Sequence, residues 1–224
     1  MVNIYEELGI PTYINAYAAF TVLGGVCMSE ETIEYMASAA REFADIKVFQ
    51  SVVHRKIAEM THNEAAYITP GAMAGIYLAT CAAVTQKYGK NIRYLTKEEI
   101  GKCEVLAFKS QRNPYDRAIE QTGVKTVDFM YPNMWDIPTK THLENSINEN
   151  TTAIYVLAGG RNVFPTYMSL EEIIEVAERH KFQCWWMLLL RFRRLIHSGN
   201  TIRRGLLSLL SPVEKIWGDR RPVV

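Results

Sequence analysis

Long apolar runs are missing from this sequence. The longest, Cys184 to Leu190, falls far short of the roughly 20 residues a helix needs to cross a bilayer, so no membrane segment is expected. Cysteine is scarce too: Cys27, Cys81, Cys103 and Cys184 lie far apart with no CxxC pair. That spacing argues against a disulfide framework or a zinc site and points to buried free thiols in a reducing compartment. Nor does either sign of charge dominate. A formal net charge of +1 gives the chain as a whole no electrostatic case for nucleic acid or an acidic membrane. His54 and His62 have no third ligand at metal-binding spacing, so no metal is expected. The glycine pair of AGGRN (158–162) is followed by neither GxGxxG nor GK[ST] and reads as a loop. MVNIYEELGI lacks a basic start and an apolar run, so no secretory leader is read there, and the cytoplasm is the expected location.

What is present belongs to an ordinary globular protein, 48% hydrophobic and 22% charged over 224 residues. Ser29 is placed to cap a helix with Glu30 and Glu31 in its first turn and an apolar stripe at Ile33, Met36, Ala37 and Ala40. Val52, Val53, Ile57 and Met60 suggest a second helix. Ala65 to Thr69 read as a short buried strand, Pro70 and Gly71 as a break, and Ala72 to Val84 as a helix. EVLAF (104–108), KTVDF (125–129) and TAIYVLA (152–158) read as strands. Helices are expected at NPYDRAIEQTG, stopped by Gly123, at HLENSINEN, and at SLEEIIEVAERHK (169–181), where Ser169 and Glu172 form a capping box. Such alternation predicts an α/β fold, a mostly parallel sheet with helices on both faces, and a further buried strand after Lys181.

That strand is expected at QCWWMLLLRFRRLIHSGN, and these residues fit no regular element well. From Gln183 onward Arg191, Arg193, Arg194, Arg203, Arg204, Arg220, Arg221 and Lys215 face only Glu214 and Asp219. One lost nucleotide near Phe182 accounts for the change. Codons straddling Cys184–Trp185, Trp185–Trp186 and Trp186–Met187 are forced to leucine, valine and aspartate. Those before permit proline or serine and valine or methionine, so the shifted frame can read Pro-Val-Leu-Val-Asp and then permits Ala-Ala-Ala-Glu. Shifting residues 211–224 permits Ser-Gly-Gly-Lys-Asp-Met-Gly-Gly-Pro-Gln, with one glycine, across Trp217 and Gly218, forced. A strand-end aspartate and a lysine in a glycine-rich turn are the pair a pyridoxal phosphate site requires. The lysine holds the cofactor as a Schiff base and the acid keeps the pyridine nitrogen protonated. Lys215, in the displaced frame, is not that lysine. The competing reading is a genuine basic tail that binds nucleic acid or a partner protein.

Four stretches carry a family resemblance: YEELGIPTYINAYAAFTVLGG (5–25), ITPGAMAG (68–75), SQRNPYDRAI (110–119) and SLEEIIEVAERHKF (169–182). Through them the chain resembles the L-seryl-tRNA(Sec) selenium transferase-like enzymes and D-glucosaminate-6-phosphate ammonia-lyases, which are fold-type-I pyridoxal phosphate proteins. The resemblance implies an N-terminal arm over 1–30, a partial cofactor-binding large domain over 31–182, a frameshifted tail without native fold over 183–224, and a missing C-terminal small domain. It implies pyridoxal phosphate as cofactor and a small amino acid or amino sugar acid as substrate of the intact relative. The implied chemistry is α-proton removal followed by β-elimination or replacement, in a homo-oligomer. Nucleic acid is not an expected partner. Thr69, Gly71 and Ala72 match the turn that holds the cofactor phosphate, with Pro70 in place of the usual serine, which removes an N–H and a hydroxyl. Gln111 falls where relatives place a histidine near the cofactor ring. Arg112, Asn113 and Tyr115 are implied to face the substrate, or else to start a helix at Pro114. Asn15 is implied to reach an active site from the arm. As written the chain lacks both the cofactor lysine and the ring aspartate, so no catalytic residue is assigned and it is expected to be inactive.

Overall fold

A computed structural model describes residues 3–16, 21–24, 27–61, 65–158, 166–181 and 183–188. The chain divides into two compact units, Met1–Phe49 and Gln50–Val224, so the expected arm over 1–30 falls within a longer unit. In the first, α1 (Ile4–Glu7) and α2 (Glu30–Ala39) are followed by the start of α3 (Ile46–Thr61). The Ser29 side chain accepts the N–H of Thr32 at 3.3 Å, and Glu30 and Glu31 sit at the positive end of α2, as the capping pattern predicts. Residues 3–16, 22–24 and 27–49 of this unit are exposed, including Ile33 and Met36 of the apolar stripe.

The second unit is built on a parallel sheet of β1 (Glu104–Phe108), β2 (Lys125–Phe129), β3 (Thr151–Ala158) and β4 (Gln183–Leu188) in the order β2-β1-β3-β4. Around it lie α4 (Ala72–Tyr88), α5 (Lys97–Gly101), α6 (Arg117–Glu120), α7 (Lys140–Asn145) and α8 (Leu170–Arg179). Alternation along the central strands sorts the core into two layers. Val105, Ala107, Ala153, Tyr155 and Leu157 pack with Ile76, Ala79, Ala83 and Val84 of α4 and Ala118 and Ile119 of α6. Leu106, Phe108, Ile154 and Val156 pack with Leu143 of α7 and Ile173, Val176 and Ala177 of α8. Both faces of the sheet are therefore covered, which is why its central strands are apolar throughout. At roughly 1.5–3 kcal/mol for each fully buried large aliphatic side chain, these two layers dominate the stability of the unit.

The structure corrects three expectations. Residues 65–69 form no strand: Tyr67 and Ile68 are exposed, and the Tyr67 ring lies against His54 at 4.5 Å. The segment runs into Pro70 without a strand to pair with. The helix expected over 113–123 is a 3-10 turn (Pro114–Asp116) followed by the single turn of α6; Gly123, at φ 93°, ends it. The third concerns the tail. Gln183–Leu188, expected to belong to a tail without native fold, form β4, pairing in parallel from Ala153↔Gln183 to Ala158↔Leu188. Ladder hydrogen bonds are indifferent to side chains, and tryptophan is a good strand former. The strand predicted after α8 is present; residues 189–224 lie outside the described residues. Cysteine also departs from expectation: Cys103 is buried, but Cys27 is exposed and Cys81 partly so.

Candidate cofactor site at the carboxyl edge of the sheet

From β1 the chain passes outward to β2, and from β3 it passes the other way to β4. The connections diverge between the carboxyl ends of β1 and β3, the point at which open α/β sheets bind ligands. Two pieces of the chain meet the requirements of a site in this unit. One is the start of α4. Gly71 is its N-cap at φ 158°, ψ 173°, and no side chain caps the helix. Among the described residues no N-cap side chain accepts from the N–H groups of the first turn, and the helix dipole favours an anion there. Thr69 Oγ1 donates to the Gly71 carbonyl at 2.9 Å, which closes the bend around Pro70. A Cβ at Gly71 would meet nothing within 4 Å, so the approach is open.

The other piece is the segment from Lys109 to Asp116 that leaves β1. Here several of the expected ligand contacts also bond to their neighbours in the fold. Arg112 is engaged on three sides: Nε to Asp116 Oδ2 at 2.6 Å, Nη1 to Asp128 Oδ1 at 2.5 Å and Nη2 to Glu120 Oε1 at 3.5 Å. Burial opposes its charge, but Asp116 and Asp128 outweigh burial and raise the guanidinium above its ordinary value. Arg112 thus ties the turn to β2 rather than offering a free cation to a substrate. Asn113 is the cap of the 3-10 turn: its Oδ1 accepts from Tyr115 N at 2.9 Å, and its Nδ2 donates to the Gln111 carbonyl at 3.0 Å. Of the three residues expected either to face the substrate or to start a helix, Arg112 and Asn113 make these intramolecular bonds. The Tyr115 ring stays 39% exposed.

Gln111 is 7% exposed. Its Nε2 donates to the Leu157 carbonyl at 3.0 Å and its Oε1 accepts the Leu157 N–H at 2.9 Å. The two polar ends that a cofactor ring was expected to meet are both engaged by β3. Asn15 lies exposed in the first unit. Thr69, Gly71 and Ala72 are brought together; Gln111, Arg112 and Asn113 are held together by one another and by the sheet.

Sequence reasoning missed Asp116 and Asp128 as the partners of Arg112, although the Arg112–Asp116 spacing of a helical turn was a readable signal. It also missed Tyr155, which shares a core layer with Leu157 and is 2% exposed. Its hydroxyl has no hydrogen-bond partner among the described residues. Burial pushes its phenol well above the ordinary tyrosine value; the nearby Asn113 amide acts the other way, and the charge of Asp116 adds a smaller upward push. Asn113 comes close enough to act on that titration without hydrogen-bond geometry to the hydroxyl. A cavity of about 650 Å³ opens at the opposite end of β3, beside Gln86, Lys87, Thr151 and His180. It lies away from the strands' carboxyl ends and is not the candidate site. Among the described residues no cluster of His, Cys, Asp or Glu is placed to hold a metal, and no helix is long and apolar enough to cross a membrane.

A parallel sheet covered on both faces, with an uncapped helix start for an anion, is the architecture of the large domain of fold-type-I pyridoxal phosphate enzymes. The chain is homologous to the D-glucosaminate-6-phosphate ammonia lyase of Salmonella typhimurium (strain 14028s / SGSC 2262): 29% identical over 182 residues, covering 79% of this chain and 48% of that protein. It is 26% identical over 182 residues to a 5'-C-glycyluridine monooxygenase-decarboxylase of Streptomyces sp, covering 79% of this chain and 45% of that protein. A solved D-glucosaminate-6-phosphate ammonia-lyase superposes with a TM-score of 0.72 at 27% identity, covering 83% of this chain and 50% of the other. An aspartate aminotransferase of Thermotoga maritima, with a TM-score of 0.50 at 14% identity, shares the fold over 82% of this chain and 48% of its own. No family model matches the chain. The chain spans about half the length of the curated relatives it matches.

The residues fit half of a pyridoxal phosphate molecule. The open, uncapped start of α4 suits the phosphate. The ring end does not fit, because Gln183–Leu188 of β4 include neither a carboxylate nor a lysine.

Proposed function

We propose that the chain is the N-terminal portion of a pyridoxal-phosphate-dependent lyase or transferase of the selenium transferase-like and D-glucosaminate-6-phosphate ammonia-lyase group. As written it holds the phosphate cradle without the chemistry and is catalytically inactive. The intact protein removes an α-proton from a small amino acid or amino sugar acid and eliminates or replaces a β-substituent. Bound pyridoxal phosphate would supply an electron sink for that carbanion. In this chain Thr69, Gly71 and Ala72 shape the anion-binding start of α4, and Arg112 and Asn113 brace the facing turn.

The observation that carries the reading is β4. It is the parallel strand that follows α8 and carries no carboxylate as written, whereas its codons shifted by one base are forced to Leu-Val-Asp and permit Pro-Val before them. The shifted aspartate arises across Trp186 and Met187, which pair with Val156 and Leu157 at the carboxyl edge of the sheet. Exposure of residues 3–16, 22–24 and 27–49 in the Met1–Phe49 unit supports a homo-oligomer, and unpaired cysteines support a reducing, cytoplasmic setting.

The test is covalent. The purified chain is incubated with pyridoxal phosphate, reduced with borohydride and mapped by mass spectrometry. We expect no stoichiometric label on any single lysine; a chain with the frame restored and its C-terminal half present is labelled at the lysine of its glycine-rich turn. A stoichiometric label on one lysine of the chain as written would falsify inactivity.

A further inference from the structure

We propose that Gln111 is a positioning residue whose side-chain amide substitutes for a peptide unit of β1 and locks β1 to β3 at the divergence of the sheet. The register requires it. β1 pairs with β3 up to Ala107↔Tyr155, and continuing two residues would set Lys109 opposite Leu157. At Lys109, however, the main chain leaves the sheet in a 3-10 turn, Lys109–Gln111. Leu157 is thereby left with a buried N–H and carbonyl facing the vacated rung, and an unpaired buried backbone group costs about 1–3 kcal/mol. A primary amide offers one donor and one acceptor side by side, as a peptide does, and Gln111 applies both to Leu157 at 3.0 and 2.9 Å. The same residue's carbonyl accepts from Asn113 Nδ2, so the turn braced by Arg112 is fastened to β3 through this one side chain.

An amide also explains why no aromatic or imidazole stands here. Neither presents a donor and an acceptor with the spacing of a peptide edge. The inference depends on the proposed function only for what is positioned; the bridge itself does not require a cofactor.

The test uses the full chain and the protection factor of the Leu157 amide against hydrogen exchange. Gln111→Leu removes both bonds and is expected to lower that protection at least tenfold. Gln111→Glu supplies the control that packing alone would not move. When protonated, the introduced carboxyl is a near-isostere that can donate to the Leu157 carbonyl and accept from its N–H. Once ionised it can only accept, and it faces a carbonyl oxygen. Its folded pKa is therefore raised above the unfolded value, so protection at Leu157 stays near wild type below that unfolded value and is lost as pH rises. Unchanged protection in Gln111→Leu, or a pH-independent profile in Gln111→Glu, overturns the proposal. Because exchange is read without cofactor, a chain that never binds pyridoxal phosphate tests this inference as well as one that does.

Discussion

Tyr155 shows at the residue scale how the apolar layer and the turn above β1 meet. Its ring is buried against α4 while its hydroxyl, beside Asn113 and Asp116, has no partner among the described residues. A buried hydroxyl without a hydrogen bond contributes nothing to offset its desolvation. Tyr155→Phe is therefore expected to leave stability at pH 7 unchanged or to raise it by about 1 kcal/mol. The raised phenol also sets a sign. The folded pKa lies above the unfolded value of about 10, so the stabilisation is present below that pH and is lost as pH rises and the unfolded chain ionises. Tyr155→Phe should flatten that alkaline loss in urea titrations; a marked loss of stability at pH 7 would show that the hydroxyl has a partner after all. Residue roles were the least legible part of the sequence. Arg112, Asn113 and Gln111 have polar chemistry that suits a ligand as well as a neighbour. Only the fold shows which neighbours they meet, by bringing Asp128 and Leu157 across from other strands.

Elements were far more legible, because they are set by local chemistry. EVLAF and KTVDF match β1 and β2 to the residue, and β3 starts one residue before the expected TAIYVLA. The Ser169 and Glu172 signature is a true capping box: Ser169 Oγ accepts from Glu172 N at 3.1 Å, and Glu172 Oε2 accepts from Ser169 N at 2.8 Å. Ser169→Ala leaves the helix-start N–H unpaired and should cost about 1 kcal/mol, read as a shift of the urea midpoint followed by far-ultraviolet circular dichroism. No change would mean that packing of Ile173 and Val176 alone holds α8. Failures at this scale share a cause. Ala65–Thr69 and NPYDRAIEQTG have suitable local patterns, but a strand needs a partner and the chain after Asn113 is shaped by the cap network and Gly123. β4 is the reverse case: an implausible local pattern accepted by the open edge of β3.

At the scale of the whole molecule, alternating strands and helices made the α/β class legible, and four quoted stretches made the family resemblance legible. About half of the ammonia lyase is matched here, and the structure ends its described sheet at β4. An uncapped helix start at α4 with no acid on β4 is what a reading frame that slips between α8 and that strand would leave. The two readings of the last 42 residues, displaced code or functional basic tail, differ in what lies in the DNA rather than in any contact of the protein.

The nucleotide sequence across the Glu214 codon and onward is the most direct measurement. Glutamate permits either GAA or GAG. We expect GAA, which gives a lysine triplet with the next codon in the shifted frame, and a shifted frame that stays open well past the codon for Val224. A GAG there, or a stop closing the shifted frame before the missing half is encoded, would contradict the claim that one dropped base separates this chain from an intact pyridoxal phosphate enzyme.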